Sequence, residues 1–303
     1  MSDAIYVKDL VVSYRQKDGR KIEAVKGLSF SVKPQEVVGF LGPNGAGKSS
    51  TLKALMGFVT PDAGDCQVFG TPSYTEEARK RVGYLPEVAM YYPFLTPVET
   101  LTLYGELQGL KGKALKKEAT ELLECVGLSA AMYKQNRSMS KGMLQRVGIA
   151  QSLLGNPEIL ILDEVTSGLD PVGRKELRQL LKQKQQNGTT LFFSSHELAE
   201  VEMLCDRILL IHKGKLIEER DIHSLKDELR NFSLSFRGTA SMVGLTDDIT
   251  QKESGVITAI FESKEPLLKA IERVQAANAE ILDVVAQEGS LEDYFVETIG
   301  RAA

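Results

Sequence analysis

The sequence predicts an α/β protein in which a phosphate-binding α/β core carries an antiparallel β subdomain and a helical subdomain, followed by a small C-terminal α+β domain. Three observations predict it. The apolar run Val37-Val38-Gly39-Phe40-Leu41 enters Gly42-Pro43-Asn44-Gly45-Ala46-Gly47-Lys48-Ser49 and then a helical pattern, which is strand, glycine loop, helix: a P-loop. A second apolar run, Ile159-Leu160-Ile161-Leu162, ends in Asp163-Glu164, at the carboxyl end of a parallel strand where ligands bind in open α/β sheets. Beyond about residue 228 the composition shifts to short strands and two helices, the pattern of an α+β appendage.

Composition bounds the functions available. With 303 residues, 43% of them hydrophobic and 26% charged, the chain can bury a large core. A net charge of −4 gives no overall basic field for nucleic acid or an anionic membrane surface. Cys66, Cys125 and Cys205 are far apart and in no CxxC arrangement, so neither a disulfide framework nor a zinc site is expected, and a reducing cytosol fits. The stretch Met1 to Leu10 lacks the apolar core of a signal peptide. No apolar run approaches the roughly 18 residues that cross a bilayer, so any membrane role requires a separate anchor.

In chain order, residues 4–14 and 28–33 alternate as strands around a turn at Lys17-Asp18-Gly19-Arg20. Tyr14, at the end of the first strand, reads by default as a half-buried strand residue. The P-loop that follows gives its ring a second reading, as a face that stacks on a purine. In the loop, glycines let successive N–H groups converge on one point, where the next helix adds the positive end of its dipole. Lys48 reaches β- and γ-phosphate oxygens, and the Ser49 hydroxyl is placed to ligate the magnesium that bridges them. The P-loop helix spans residues 48–57, and residues 61–70 form a short turn and strand.

The strand in Arg81-Val82-Gly83-Tyr84-Leu85-Pro86-Glu87 leaves Glu87 in a loop, by itself a plain surface carboxylate. Tyr91, Tyr92 and Phe94 form an aromatic cluster that is either core or a socket for a partner helix. Residues 97–127 read as helices broken at Gly109-Leu110-Lys111-Gly112, with lysines on a solvated face. Ser140 is an N-cap for the helix that follows, and a helix start with a serine and a glycine suits phosphate oxygens, although taken alone the feature reads first as a capped helix without ligand. At the acidic strand end, Asp163 holds magnesium through water and Glu164 polarises an attacking water. Ser167-Gly168-Leu169-Asp170-Pro171 turns into a helix over 172–187, residues 189–195 are a strand ended by His196, and 207–211 with 215–218 make a hairpin. His196 ends a core strand, which places it on the phosphate side. In the appendage, strands at 232–236, 256–261 and 280–286 and helices at 265–277 and 290–301 are expected.

Over residues 4 to 218 these pieces resemble an ATP-binding cassette (ABC) ATPase, with the motifs in that family's order and spacing. The resemblance implies a P-loop NTPase core within a nucleotide-binding domain at residues 1–228, with a helical subdomain at about 86–155, and an accessory domain at 229–303. It implies that Tyr14 stacks on adenine and that Gly42, Pro43, Asn44, Gly45, Ala46, Gly47, Lys48, Ser49 and Ser50 bind ATP. Ser49, Glu87 (at the Q-loop position) and Asp163 would serve the magnesium ion, and Glu164, His196 and Lys48 catalysis. Ser140, Lys141 and Gly142, in the signature Met139 to Met143, would act in trans on a second cassette, with Ser167 to Asp170 as D-loop. Three departures from the family pattern stand out: the signature reads MSKGM in place of LSGGQ, Glu87 stands for glutamine, and Val165 for proline.

The implied cycle closes two cassettes head to tail over ATP, as a homodimer or heterodimer, driving separate membrane permease subunits from the cytoplasmic face of the membrane. No nucleic acid partner is expected. The tail Ser290-Leu291-Glu292-Asp293-Tyr294-Phe295 resembles that of bacterial export ATPases for drugs, lipids or polysaccharides, which favours export. The alternative, a soluble cassette ATPase acting on nucleic acid or ribosomes, usually carries two cassettes or a long coiled coil, and this chain has neither. A nucleotide-gated binder without turnover is opposed by Glu164 and His196.

Overall fold

The computed structural model describes residues 2–240, 249–251, 255–287 and 290–301, and its chain contacts divide into two units, Met1–Arg220 and Asp221–Ala303. The division falls before the composition change near residue 228. In the first unit, β1 (Ile5–Arg15), β2 (Lys21–Val32), β4 (Ala63–Val68) and β5 (Thr71–Pro72) form an antiparallel sheet in the order β2-β1-β4-β5. The second strand begins at Lys21, earlier than the alternation at 28–33 predicts. Residues 21–23 are exposed and are held by pairing to β1 across the tight turn Gln16–Arg20, so their register carries no apolar signature.

The second sheet holds β3 (Val37–Leu41), β6 (Val82–Leu85), β7 (Ile159–Asp163), β8 (Thr190–Ser195), β9 (Arg207–His212) and β10 (Lys215–Asp221), in the order β10-β9-β3-β8-β7-β6. The pairings among β9, β3, β8, β7 and β6 are all parallel. Every residue of β3, β7 and β8 is buried, as a parallel sheet covered on both faces requires. Phe30 of β2, Phe40 of β3 and Phe192 of β8 pack ring to ring, with centroids 5.4–5.8 Å apart, and join the two sheets into one core. At the edge of that core Arg207 pairs with Glu36 at 2.7 Å. Burial pushes the Glu36 carboxyl up, but Arg207 and the Lys33 N–H together hold it below the ordinary range.

Helix α1 (Lys48–Leu55) follows the P-loop, and α2 (Glu76–Lys80) precedes β6. Between β6 and β7 lie α3 (Pro97–Leu107), α4 (Gly112–Cys125) and α5 (Lys141–Ser152). Thr96 and Glu99 close a capping box on α3, with Pro97 in its first turn. Buried Asn136 donates to Tyr92 O at 3.1 Å and to Thr100 Oγ1 at 2.9 Å, fixing the loop before α3. Helices α6 (Pro171–Gln186) and α7 (Leu198–Leu204) flank β8.

The second unit opens with α8 (Ile222–Glu228), capped by Asp221. Its sheet runs β12 (Ile249–Gln251), β13 (Val256–Phe261), β11 (Asn231–Arg237), β14 (Glu280–Gln287), antiparallel throughout. α9 (Lys264–Ala276) buries Leu267, Ala270 and Val274 against Phe232, Leu234, Phe236 and Ile257. α10 (Leu291–Arg301) starts in the tail motif, with Ser290 Oγ accepting from the Asp293 amide at 3.1 Å.

Because Phe192 is fully buried between the sheets, Phe192→Ala is expected to cost about 3–5 kcal/mol. Urea unfolding of wild type and variant checks this.

Candidate functional site

The carboxyl ends of β3, β7 and β8 point to one side of the sheet, because their pairings are parallel. The loops leaving those ends therefore converge. A cleft of about 520 Å³ is lined by the P-loop residues Pro43 to Ser50, together with Tyr14, Ala24, Glu87, Glu164, Ser167 and His196. Gly47 takes φ 108° and presses against β2, where a Cβ would lie 2.5 Å from Ala24 O. The turn at Lys213-Gly214 clamps the loop from the other side: Gly214 N donates to Ala46 O, and Lys26 N to Gly214 O, both at 2.8 Å.

Lys48 is 6% exposed and its ammonium donates to Gly42 O at 2.6 Å, with Glu164 Oε1 at 3.9 Å. Burial pulls the Lys48 pKa below the ordinary lysine value, against the opposing effect of Glu164, Asp163 and Glu87. The ammonium thus rests against the Gly42 carbonyl within electrostatic reach of three carboxylates.

Asp163 and Glu164 differ in role by environment. Asp163 is buried and accepts a hydrogen bond from the Ser194 hydroxyl. Glu164 takes φ 50°, in the left-handed region that a non-glycine residue enters only at a cost. Its amide donates to Ser194 O at 3.2 Å, and the turn sends its carboxylate into the cleft, where Oε2 meets His196 Nδ1 at 2.7 Å. With the proton on Nδ1, the imidazole orients that carboxylate. The side chain of Glu164 is only 10% exposed while that of His196 is 59% exposed, so the histidine stands at the mouth and the carboxylate behind it. Arg174 of α6 secures both loops, donating to Leu169 O at 3.2 Å and pairing with Glu197.

The predicted residues divide into those the cleft gathers and those it does not. Tyr14, 39% exposed at the end of β1, offers its ring at the rim, and Glu87 lines the same cleft. Asp170 instead caps α6, accepting from Gly173 N at 2.9 Å; of its turn, Ser167 reaches the cleft. Ser140, Lys141 and Gly142 are not among the lining residues. Ser140 caps α5, its Oγ accepting from Met143 N at 3.2 Å, and it remains exposed. The aromatic cluster splits. The Tyr91 hydroxyl is buried against α5, and its ring meets Tyr104 edge-on, whereas Tyr92 and Phe94 lean together on the surface. Sequence reasoning missed Ser194 and the clamp that Gly214 makes with Ala46 and Lys26. Ser194 lies in a strand buried on both faces, where alternation carries no signal.

No group of three or more His, Cys, Asp or Glu side chains forms a metal cage among the described residues. The hard oxygens of Ser49, Asp163 and Glu87 fit magnesium, an ion that takes most of its ligands from phosphates and water.

A family model described as ABC transporter matches residues 25–167, and one described as AAA domain, putative AbiEii toxin, Type IV TA system, matches residues 135–202. The bacitracin transport ATP-binding protein BcrA of Bacillus licheniformis is 36% identical, over 99% of this chain and 98% of its own. The linearmycin resistance ATP-binding protein LnrL of Bacillus subtilis is 34% identical, over 91% of this chain and 94% of its own. Among solved structures, a dimeric post-hydrolysis state of the ATP-binding cassette MJ0796 bound to ADP and Pi superposes with a TM-score of 0.67 at 25% identity, covering 72% of this chain and 98% of that one.

A general base contributes about 10² to 10⁴ in rate. Glu164→Gln is therefore expected to bind ATP as the parent does while phosphate release falls by about that factor; nucleotide titration and a phosphate-release assay measure the two separately.

Proposed function

The chain belongs to the family of ABC transporter ATP-binding proteins, and from that premise we propose that it powers an exporter by hydrolysing ATP clasped between two cassettes. It is an ATP-hydrolysing subunit of a transporter, of a kind that dimerises and works with membrane permease partners. One observation carries the finer reading: the cleft gathers the P-loop, Glu164 and His196, while the exposed, capped start of α5 stands outside it. The P-loop amides and Lys48 would hold the phosphates, with Tyr14 against the base. Ser49 and Asp163, with Glu87 nearby, would hold magnesium, which when bound neutralises phosphate charge. Glu164 accepts the proton of the attacking water, and His196 keeps the carboxylate aimed. Ser140 and Gly142 of a second cassette would complete the γ-phosphate site, with Asp170 holding the start of α6 beside them.

The partner cassette is either a second copy or a close relative. Export, with a cargo of antibiotic class, is supported by the names of the two relatives and by the tail motif that opens α10. The second unit, Asp221–Ala303, is read as an accessory domain. Contact with the permease is assigned to a groove of about 540 Å³ lined by Phe58, Tyr84, Pro86, Met90 and Tyr104. Its rim leaves Phe58 60% and Met90 85% exposed, and an apolar helix of the membrane subunit is a suitable occupant. Through that contact the cassette would sit on the cytoplasmic face of the membrane.

With ATP and magnesium, Glu164→Gln is expected to elute as a dimer in size-exclusion chromatography. Adding Ser140→Trp should return it to monomer with ATP binding retained, and a trapped chain that stays single sinks the two-cassette reading. Phe58→Glu is expected to abolish copurification with the permease while the isolated chain still hydrolyses ATP. Pull-down from membranes expressing both subunits checks it.

A further inference from the structure

Helix α5 is fastened along its first two turns to the loop that follows Glu164 and to α6 in the same chain. Gln145 Nε2 donates to Val165 O at 2.9 Å, and Arg146 pairs with Glu176 at 2.8 Å. Gly142 lies so close to Gly168 that a Cβ would come 2.9 Å from Gly168 O. Lys141 makes the contact that reaches the cleft: its Nζ donates to Ser167 Oγ at 3.3 Å. Ser167 lines the cleft and its amide donates to Glu164 O at 3.0 Å.

Both parts of the Lys141 side chain are engaged. The stem covers Gly168, which takes φ +80° and has Cγ, Cδ and Cε of Lys141 each 3.2 Å from where a Cβ would stand. The head holds the Ser167 hydroxyl. A cation at the first helical position opposes the helix dipole, so helix stability does not account for a lysine there. The contact to the loop does.

We propose that Lys141 is a positioning residue that latches the start of α5 to the loop behind Glu164, so that the helix offered to a second cassette moves with the catalytic loop of its own chain. The latch itself is a contact within one chain; its consequence for turnover rests on the in-trans role proposed above for Ser140. A hydrolysis event that shifts Ser167 in one cleft is thereby passed, through one side chain, to the cap on the other.

The test uses the full chain and four variants: Lys141→Met, which keeps the stem and removes the donor, Lys141→Arg, Ser167→Ala, and the double variant Lys141→Met with Ser167→Ala. Loss of one charged hydrogen bond predicts a kcat for ATP hydrolysis lower by about fivefold in Lys141→Met, with KM within about twofold. Lys141→Arg should restore kcat, and the double variant should be no slower than the slower single one, because the two residues act as one contact. Amide exchange at Ser167 and Leu169 should quicken in Lys141→Met without nucleotide. Parental kcat in Lys141→Met, additive losses in the double variant, or unchanged exchange would each overturn the latch. If exchange responds but the parent chain turns over no ATP, the latch stands and the assignment of hydrolysis is what fails.

Discussion

Glu164 is held in a costly backbone conformation by Ser194, the residue paired across the sheet with Asp163. Its left-handed turn lifts the chain off the end of β7 and aims the carboxylate away from the sheet, between Lys48 and His196. An extended residue there would continue the strand and point its side chain into one of the buried faces. The conformation persists because Ser194 and the turn 164–167 bind the peptide groups around it, which is how strained residues at functional sites are maintained. Parallel pairing supplies the rest: three adjacent strands deliver the lysine, the carboxylate and the histidine at the same level, so no long loop has to be ordered to assemble them.

Charge balance in the cleft follows from the same geometry. Lys48 is buried and therefore disfavoured as a cation, yet three carboxylates within electrostatic reach oppose that effect. Its ammonium rests on the carbonyl of Gly42, at the start of the loop that lines the cleft. Phosphate oxygens entering there exchange a carbonyl contact for a charged one, and gain loop amides as well. In the function proposed above, the buried cation is costly to the folded chain alone and favourable to the nucleotide complex, which couples binding to the stability of the loop.

Most of this was legible in the sequence, and the parts that were not share a physical cause. The P-loop, the Asp163-Glu164 strand end and the Ser140 cap are local: a few adjacent residues determine backbone shape and chemistry together. Ser194, by contrast, sits in six consecutive buried residues, so no periodicity marks which face it serves. The early start of β2 depends on pairing to β1, and the split of Tyr91 from Tyr92 and Phe94 depends on Gly148 making room for the Tyr91 hydroxyl. Such placements are set by partners far away in the chain, which pattern reading does not reach.

The groove is lined from one side by Phe58 and by Tyr84 of β6 and from the other by Tyr91 and by Tyr104 of α3, close to α5. Tyr91 belongs to both neighbourhoods, since it lines the groove and its hydroxyl lies where a side chain on Gly148 of α5 would be. The groove wall at Tyr91 thus bears on α5, and α5 is tied through Gln145 and Lys141 to the loop behind Glu164 and through Arg146 to Glu176 of α6. Of these contacts the one from Gln145 is buried, whereas those of Lys141 and of Arg146 with Glu176 lie at the surface. Tyr91, α5 and the loop after Glu164 thereby form one continuous series of contacts between the groove and the cleft, which Ser167 lines.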